Sequence, residues 1–218
     1  MKRLFPLLLC LLSLLSGCAG DTVPAEEKSS PLLTTQIVAQ FPPAYDLSVR
    51  LEAFQGDQRT SYSHFSAVRT ADGFYYAAST GEHYLFLRQD DEAYAFFLWD
   101  ESAGKMVPNQ GLLFSETVLE GFQDSLLHLG LLIHDTDGLA EGGTATVAGR
   151  SCRIFQGEGS AGDQFSCRQC YYIDEATGLT LFHSIQYRDQ AGRTFTYLLT
   201  CETFATQGVE LPEPALGL

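Results

Sequence analysis

Basic residues are scarce in this chain. Its 218 residues hold 13 Lys and Arg against 27 Asp and Glu, a formal charge of −14. Binding nucleic acid through its phosphates requires clustered Lys and Arg, so that class is excluded. Anionic lipid headgroups repel such a chain for the same reason. Catalytic signatures are also missing. The histidines, His64, His83, His128, His134 and His183, form no His-x-x-x-His pair, and no Gly-x-Ser-x-Gly elbow occurs. Ser160 sits among glycines, but in a stretch that reads as a loop and not as a strand-to-helix turn. Asp135-Thr136-Asp137-Gly138 opens like a calcium loop, yet Thr146 stands where that loop needs its closing Glu. No repeat of fixed period is present, which excludes solenoids and propellers. The chain reads as a non-enzymatic protein with no cofactor and no metal.

A hydrophobic fraction of 45% and an aromatic fraction of 12% are those of a folded protein. One long apolar run exists, Leu4 to Leu15, after Lys2-Arg3 and before Ser16-Gly17-Cys18. It is too short to span a bilayer and has the shape of a secretory signal. The small residues before the cysteine resemble the lipobox of bacterial lipoproteins. That resemblance implies removal of residues 1–17 and a diacylglyceryl group on Cys18. Each buried methylene adds about 0.8 kcal/mol, so two acyl chains hold a protein on a membrane. The expected location is the extracytoplasmic face of the cell membrane. Residues 18–30 are small, polar and charged, a flexible tether. Residues 31–218 are long enough for one domain.

Ser30-Pro31 reads as the start of a short helix ending before Pro42-Pro43. Tyr45, Leu47, Val49, Leu51 and Ala53 then alternate with polar residues, a strand with one buried face. Four strand-like runs follow, Arg59–Arg69, Gly73–Ser79, His83–Arg88 and Ala93–Trp99, linked by turns so short that neighbours must be antiparallel. The last three are apolar on both faces, so the sheet must be covered on both sides, or be covered on one and hold something apolar on the other. A helix is predicted from Ser115 to Ile133, with Val118, Leu119, Phe122, Leu126, Leu129 and Ile133 on its apolar face. Strand character returns in Thr144–Val147, Cys152–Gln156, Phe165–Asp174, Leu179–Arg188 and Arg193–Phe204. The fold class is α+β, one antiparallel sheet of about ten strands with a long helix and a short helix against it.

Two segments carry a family likeness. Thr146-Val147-Ala148-Gly149-Arg150-Ser151-Cys152, followed by Tyr172-Ile173-Asp174-Glu175-Ala176-Thr177-Gly178-Leu179, is similar to the second half of LolA/LolB-like lipoprotein-localisation proteins. It is closer still to lipoproteins of Gram-positive gut bacteria that share that fold. The resemblance implies a strongly curved sheet, a half-barrel closed over by helices, whose concave face is apolar and receives acyl chains. It implies a lipid or lipoprotein acyl chain as ligand, and the set expected to line its seat is Leu47, Val49, Leu51, Phe86, Phe97, Trp99, Leu119, Phe122 and Leu126. The alternative on the same fold is an envelope or cell-surface interaction module with a filled core. No position matches the family's cargo-handling residues.

Of the six cysteines, Cys10 leaves with the leader and Cys18 is acylated, so Cys152, Cys167, Cys170 and Cys201 remain. Cys167 and Cys170 are three apart on a strand and point to opposite faces, which disfavours a shared metal. A turn about Ser160-Ala161 sets Cys152 opposite Gln169, one residue from Cys170. A Cys152–Cys170 disulfide and four unbridged thiols are both open at this point. The anchor is directly testable: a Cys18→Ala variant should appear in the medium or periplasm, or stay as uncleaved precursor. Its recovery as a mature membrane-bound species would refute lipidation.

Overall fold

The computed structural model describes residues 39–131, 138–161 and 165–213. Six strands come first: β1 (Tyr45–Gln55), β2 (Gln58–Arg69), β3 (Gly73–Ala78), β4 (His83–Arg88), β5 (Tyr94–Asp100) and β6 (Lys105–Phe114). Helix α1 (Glu116–Leu126) runs into a π-type turn, Leu127–Leu131. Then come β7 (Ala140–Val147), β8 (Arg150–Ala161), β9 (Phe165–Asp174), β10 (Thr180–Asp189) and β11 (Thr194–Ala205). All eleven strands form one open sheet in the order β6-β5-β4-β3-β2-β1-β11-β10-β9-β8-β7, every pair antiparallel.

Two hairpin meanders make up the sheet. The first runs from β1 outward to the edge strand β6, and the second runs from the opposite edge, β7, back to β11, which pairs with β1. The segment containing α1 is the link between the two edges. Bulges at Ser48/Val49, Ala53/Phe54 and Thr180/Phe182 bend the central strands. Of the expected short helix over residues 31–40, only Ala39 and Gln40 are described, and neither is helical; Gln40 N instead donates to the Thr177 carbonyl at 2.9 Å.

Strand β6 departs from the expected pattern because Pro108 and Gly111 interrupt it. At an edge a strand pairs on one side only, so a proline is tolerated there. The register shifts between Ala95 and Phe97 opposite that stretch, and Gly111 takes φ 85°. Helix α1 also ends earlier than its apolar spacing suggests. Gly130, at φ 120°, breaks the π-type turn, and a Cβ there would stand 3.0 Å from Leu199 Cδ1. Val118, expected on the packed face, is 45% exposed, and Ile133 lies outside the described residues.

The expected loop from Gly157 is strand as far as Ala161, and this changes the cysteine register. Cys152 pairs with Asp174, and Cys170 pairs with Gln156. Cys152 and Cys170 are therefore four residues out of register, about 13 Å apart along the strands, whereas a bridge needs Cα atoms within about 7 Å. Of the two alternatives left open, the structure shows four unbridged thiols at Cys152, Cys167, Cys170 and Cys201 and no Cys152–Cys170 disulfide. Burial pushes the Cys152 thiol up to about 11 and the Cys201 thiol up to about 12, so both stay protonated and inert.

The two family-like segments meet at one ion pair. Ala148 and Gly149 turn between β7 and β8 with φ of 48° and 74°, the positive values that a two-residue hairpin requires. Arg150, the next residue, donates from Nε and Nη2 to Asp174 Oδ1 and Oδ2, both at 2.9 Å. Thr177 closes the same carboxylate from its N–H at 2.9 Å and its hydroxyl at 2.7 Å. Burial alone would raise the Asp174 pKa, but the bonds from Arg150 and Thr177 outweigh it and hold the carboxyl below its ordinary range. A depressed carboxylate stabilises the fold above its unfolded pKa, and that contribution fades as pH falls through the folded value. Asp174→Asn should therefore cost about 1.5–3 kcal/mol at pH 7. The gap to wild type should narrow below the ordinary carboxylate range, as read by urea unfolding at pH 7 and pH 3. A gap that widens on acidification would contradict this account.

Candidate functional site

The sheet offers two faces, and in the first meander adjacent residues divide cleanly between them. The inner face carries Tyr45, Leu47 and Val49 of β1, Phe65 and Ala67 of β2, Phe74 of β3, Phe86 of β4 and Tyr94 of β5, in one buried cluster with Leu119 and Leu126 of α1. The outer face carries Val68, Tyr75, Leu85 and Met106, packed with Phe97 and Trp99 and with Val209 and Leu211 of the C-terminal segment.

This division splits the expected ligand-lining set. Leu47, Val49, Phe86, Leu119 and Leu126 are buried together on the inner face, with Leu51 and Phe122 half-buried against them. Phe97 and Trp99 lie on the other face, which corrects their assignment. The cause is register: Phe86 pairs with Phe96, so Phe97 points away from both.

Helix α1 is held over the inner face by specific bonds. Glu116, in its first turn, pairs with Arg69 and accepts from the Tyr94 hydroxyl at 2.5 Å. Gln123 Nε2 donates to the buried Tyr45 hydroxyl at 2.8 Å. Between these anchors Phe122 reaches into a nest of four rings. Its centroid lies 5.6 Å from Phe74, 5.2 Å from Tyr76, 6.2 Å from Tyr84 and 6.0 Å from Phe86. Edge-on contacts at these separations are the favoured geometry of aromatic packing. Along β3 and β4 the half-buried Phe122 ring thus stands between helix and sheet, against Phe74, Tyr76, Tyr84 and Phe86.

Open space lies on the outer face instead. A cleft of about 550 Å³ is lined by Asp46 of β1, by His64, Ser66 and Val68 of β2, by Tyr75 and Ala77 of β3, by Ser79, and by His83 of β4. Glu210 and Pro212 of the C-terminal segment form its remaining wall. That segment lies close to the sheet: a Cβ on Gly73 would stand 3.3 Å from Leu211 Cδ1 and 2.7 Å from the Phe86 carbonyl oxygen. His64 Nε2 is 2.8 Å from Ser48 Oγ and 3.5 Å from Glu202 Oε2. His83 Nδ1 is 2.8 Å from the Tyr75 hydroxyl, and the Trp99 ring lies 5.3 Å from the His83 ring. Burial raises the Asp46 pKa. Among the described residues no group of His, Cys, Asp and Glu has the arrangement of a metal site.

Neither histidine pair nor cleft was visible in sequence spacing, since His64 and His83 come from different strands. One signal did exist. Val209 and Leu211 alternate with Glu210 just after the last strand, the pattern of a segment that lays apolar side chains on a sheet.

No protein-family model matches the chain, and a search of curated proteins finds no match. Solved structures similar to it include the Pseudomonas aeruginosa MucA/MucB complex, at 16% identity and a TM-score of 0.31 over 78% of this chain and 55% of that one. A LolA superfamily protein from Nitrosomonas europaea matches at 7% identity and a TM-score of 0.27, over 80% of this chain and 90% of that one. A putative outer membrane lipoprotein-sorting protein domain from Vibrio parahaemolyticus matches at 11% identity and a TM-score of 0.24, over 79% and 89%. The chain spans just over half the length of the MucB structures it matches. A LolA superfamily protein and a lipoprotein-sorting domain are among these structures. Ligand and partner have to be argued from this chain's own side chains.

The C-terminal segment is predicted to be held by its apolar side chains. Leu211→Ser should cost about 1–2 kcal/mol and shift the emission of Trp99, the chain's single tryptophan, to longer wavelength. Unchanged emission and melting would mean that the segment does not cover the outer face in solution.

Proposed function

We propose that this chain is a lipid-anchored extracytoplasmic binding module that works without catalysis, with an inner core filled by its own side chains and a ligand seat in the outer cleft. The observation that carries the reading is the position of Phe122 among the rings of Phe74, Tyr76, Tyr84 and Phe86. A half-barrel that carries an acyl chain needs a gap of about 300 Å³ or more between helix and sheet. The Phe122 ring in that place supports a filled core. Anchoring rests on Cys18 and its preceding residues. The acidic charge supports it indirectly, since a chain of −14 gains nothing from anionic headgroups and must be held by its lipid.

Absence of catalysis is supported by the chemistry of the cleft. Ser48 Oγ lies 2.8 Å from His64 Nε2, but Glu202 approaches that same nitrogen at 3.5 Å, so among the described residues no carboxylate orients the ring from its other nitrogen, as a nucleophile–base pair requires.

Enlarging the helix face separates a filled core from a carrier. Phe122→Trp and Leu126→Trp should each overpack the core and destabilise the mature protein by about 1–3 kcal/mol. The delipidated wild type should show no saturable binding of a fluorescent fatty acid. Saturable binding that these substitutions weaken without loss of stability would establish the alternative, a carrier of an apolar or amphiphilic ligand.

A further inference from the structure

We infer that the outer cleft takes a ligand carrying an ammonium or guanidinium group, with Asp46 and Glu210 as its counter-charges. The inference rests on the reading of that cleft as the ligand seat and names what it selects. The lining holds two carboxylates and no Lys or Arg. The nearest guanidinium on β1, Arg50, is already taken, with Nε 3.1 Å from Glu52 Oε2 and Nη1 3.0 Å from Glu202 Oε1. The Asp46 carboxylate makes no hydrogen bond or ion pair with the described residues, although the residue is half-buried on a central strand. A carboxylate withdrawn from water without a partner costs free energy that an entering cation recovers.

The rest of the lining suits the same chemistry. Tyr75 and His83 both line the cleft, their ring centroids 6.2 Å apart and the Tyr75 hydroxyl 2.8 Å from His83 Nδ1. Ser66 and Ser79 offer hydroxyl oxygens that accept from N–H donors. Anionic ligands are disfavoured twice, by the two local carboxylates and by the overall charge. A volume of about 550 Å³ is in the range of small-molecule sites, so a compact amine fits without displacing the C-terminal wall. The same cationic group could arrive on a protein side chain, and the test separates the two sources.

Trp99 serves as a built-in reporter, being the one tryptophan and lying 5.3 Å from His83. The mature protein is titrated with agmatine, with glucose as the neutral probe and succinate as the anionic one, and Trp99 fluorescence is read. Agmatine should give a saturable change, and Asp46→Asn should weaken it at least tenfold. Glu210→Gln should weaken it also, and Glu158→Gln, on an exposed residue outside the cleft, should leave it unchanged. The melting temperature of Asp46→Asn, at or above that of wild type, shows that the lost signal is not unfolding. Saturable binding of glucose or succinate but not agmatine would overturn the cation assignment and leave the cleft as a seat. No response to any probe would remove both. A pentapeptide with one central Arg that binds tenfold more tightly than agmatine would assign the cation to a protein partner; the reverse order assigns it to a free amine.

Discussion

Everything in this molecule depends on the ladder between β1 and β11. It pairs Asp46 with Ala205 at one end and Gln55 with Phe195 at the other, joining segments about 150 residues apart. Without it the chain is two separate meanders, each with a bare edge, and the inner face has no continuous surface for α1. Closing a loop costs entropy that rises with its length, and the hairpins on either side shorten the loop that this ladder has to close. β1 suits this place because it pairs on both sides and alternates cleanly, with Tyr45, Leu47 and Val49 fully buried on the inner face.

The helix follows from that constraint. Once β6 and β7 lie at opposite edges, the chain must cross a face of the sheet to get from one to the other, and α1 makes its part of that crossing over the inner face. Its amphipathic side then meets rings contributed by β3, β4 and β5, and Glu116 fixes its start through Arg69 and Tyr94. With the helix in place, the inner face is a core. The outer face is only partly covered, by a short C-terminal segment, and that incompleteness leaves a polar cleft where Asp46, His64 and His83 converge.

Much of the fold was legible in the sequence because alternation and turn chemistry are local. The strands around Val49, Tyr75 and Phe86 could be read from period and turns alone. β6 could not, since Pro108 and Gly111 look like breakers unless the strand is known to be an edge. The far half of β8 was hidden in the same way by Gly157 and Gly159, and the Cys152–Cys170 pairing failed with it. Face assignment failed for Phe97 and Trp99, because a strand apolar on both sides carries no mark of which side is inner; the pairing of Phe86 with Phe96 decides it. The cleft was the least legible feature. It exists only because residues beyond Ala205 fold back over β2 and β3, a contact that no local pattern of His64 or His83 announces.

The central claim is that side chains, and no lipid, fill the space under α1. Native mass spectrometry of the Cys18→Ala protein, purified without detergent extraction of bound lipid, tests it most directly. The account predicts the bare mass of the chain as the dominant species. A stoichiometric non-covalent adduct that organic solvent removes and that reads as a fatty acid or phospholipid would contradict it.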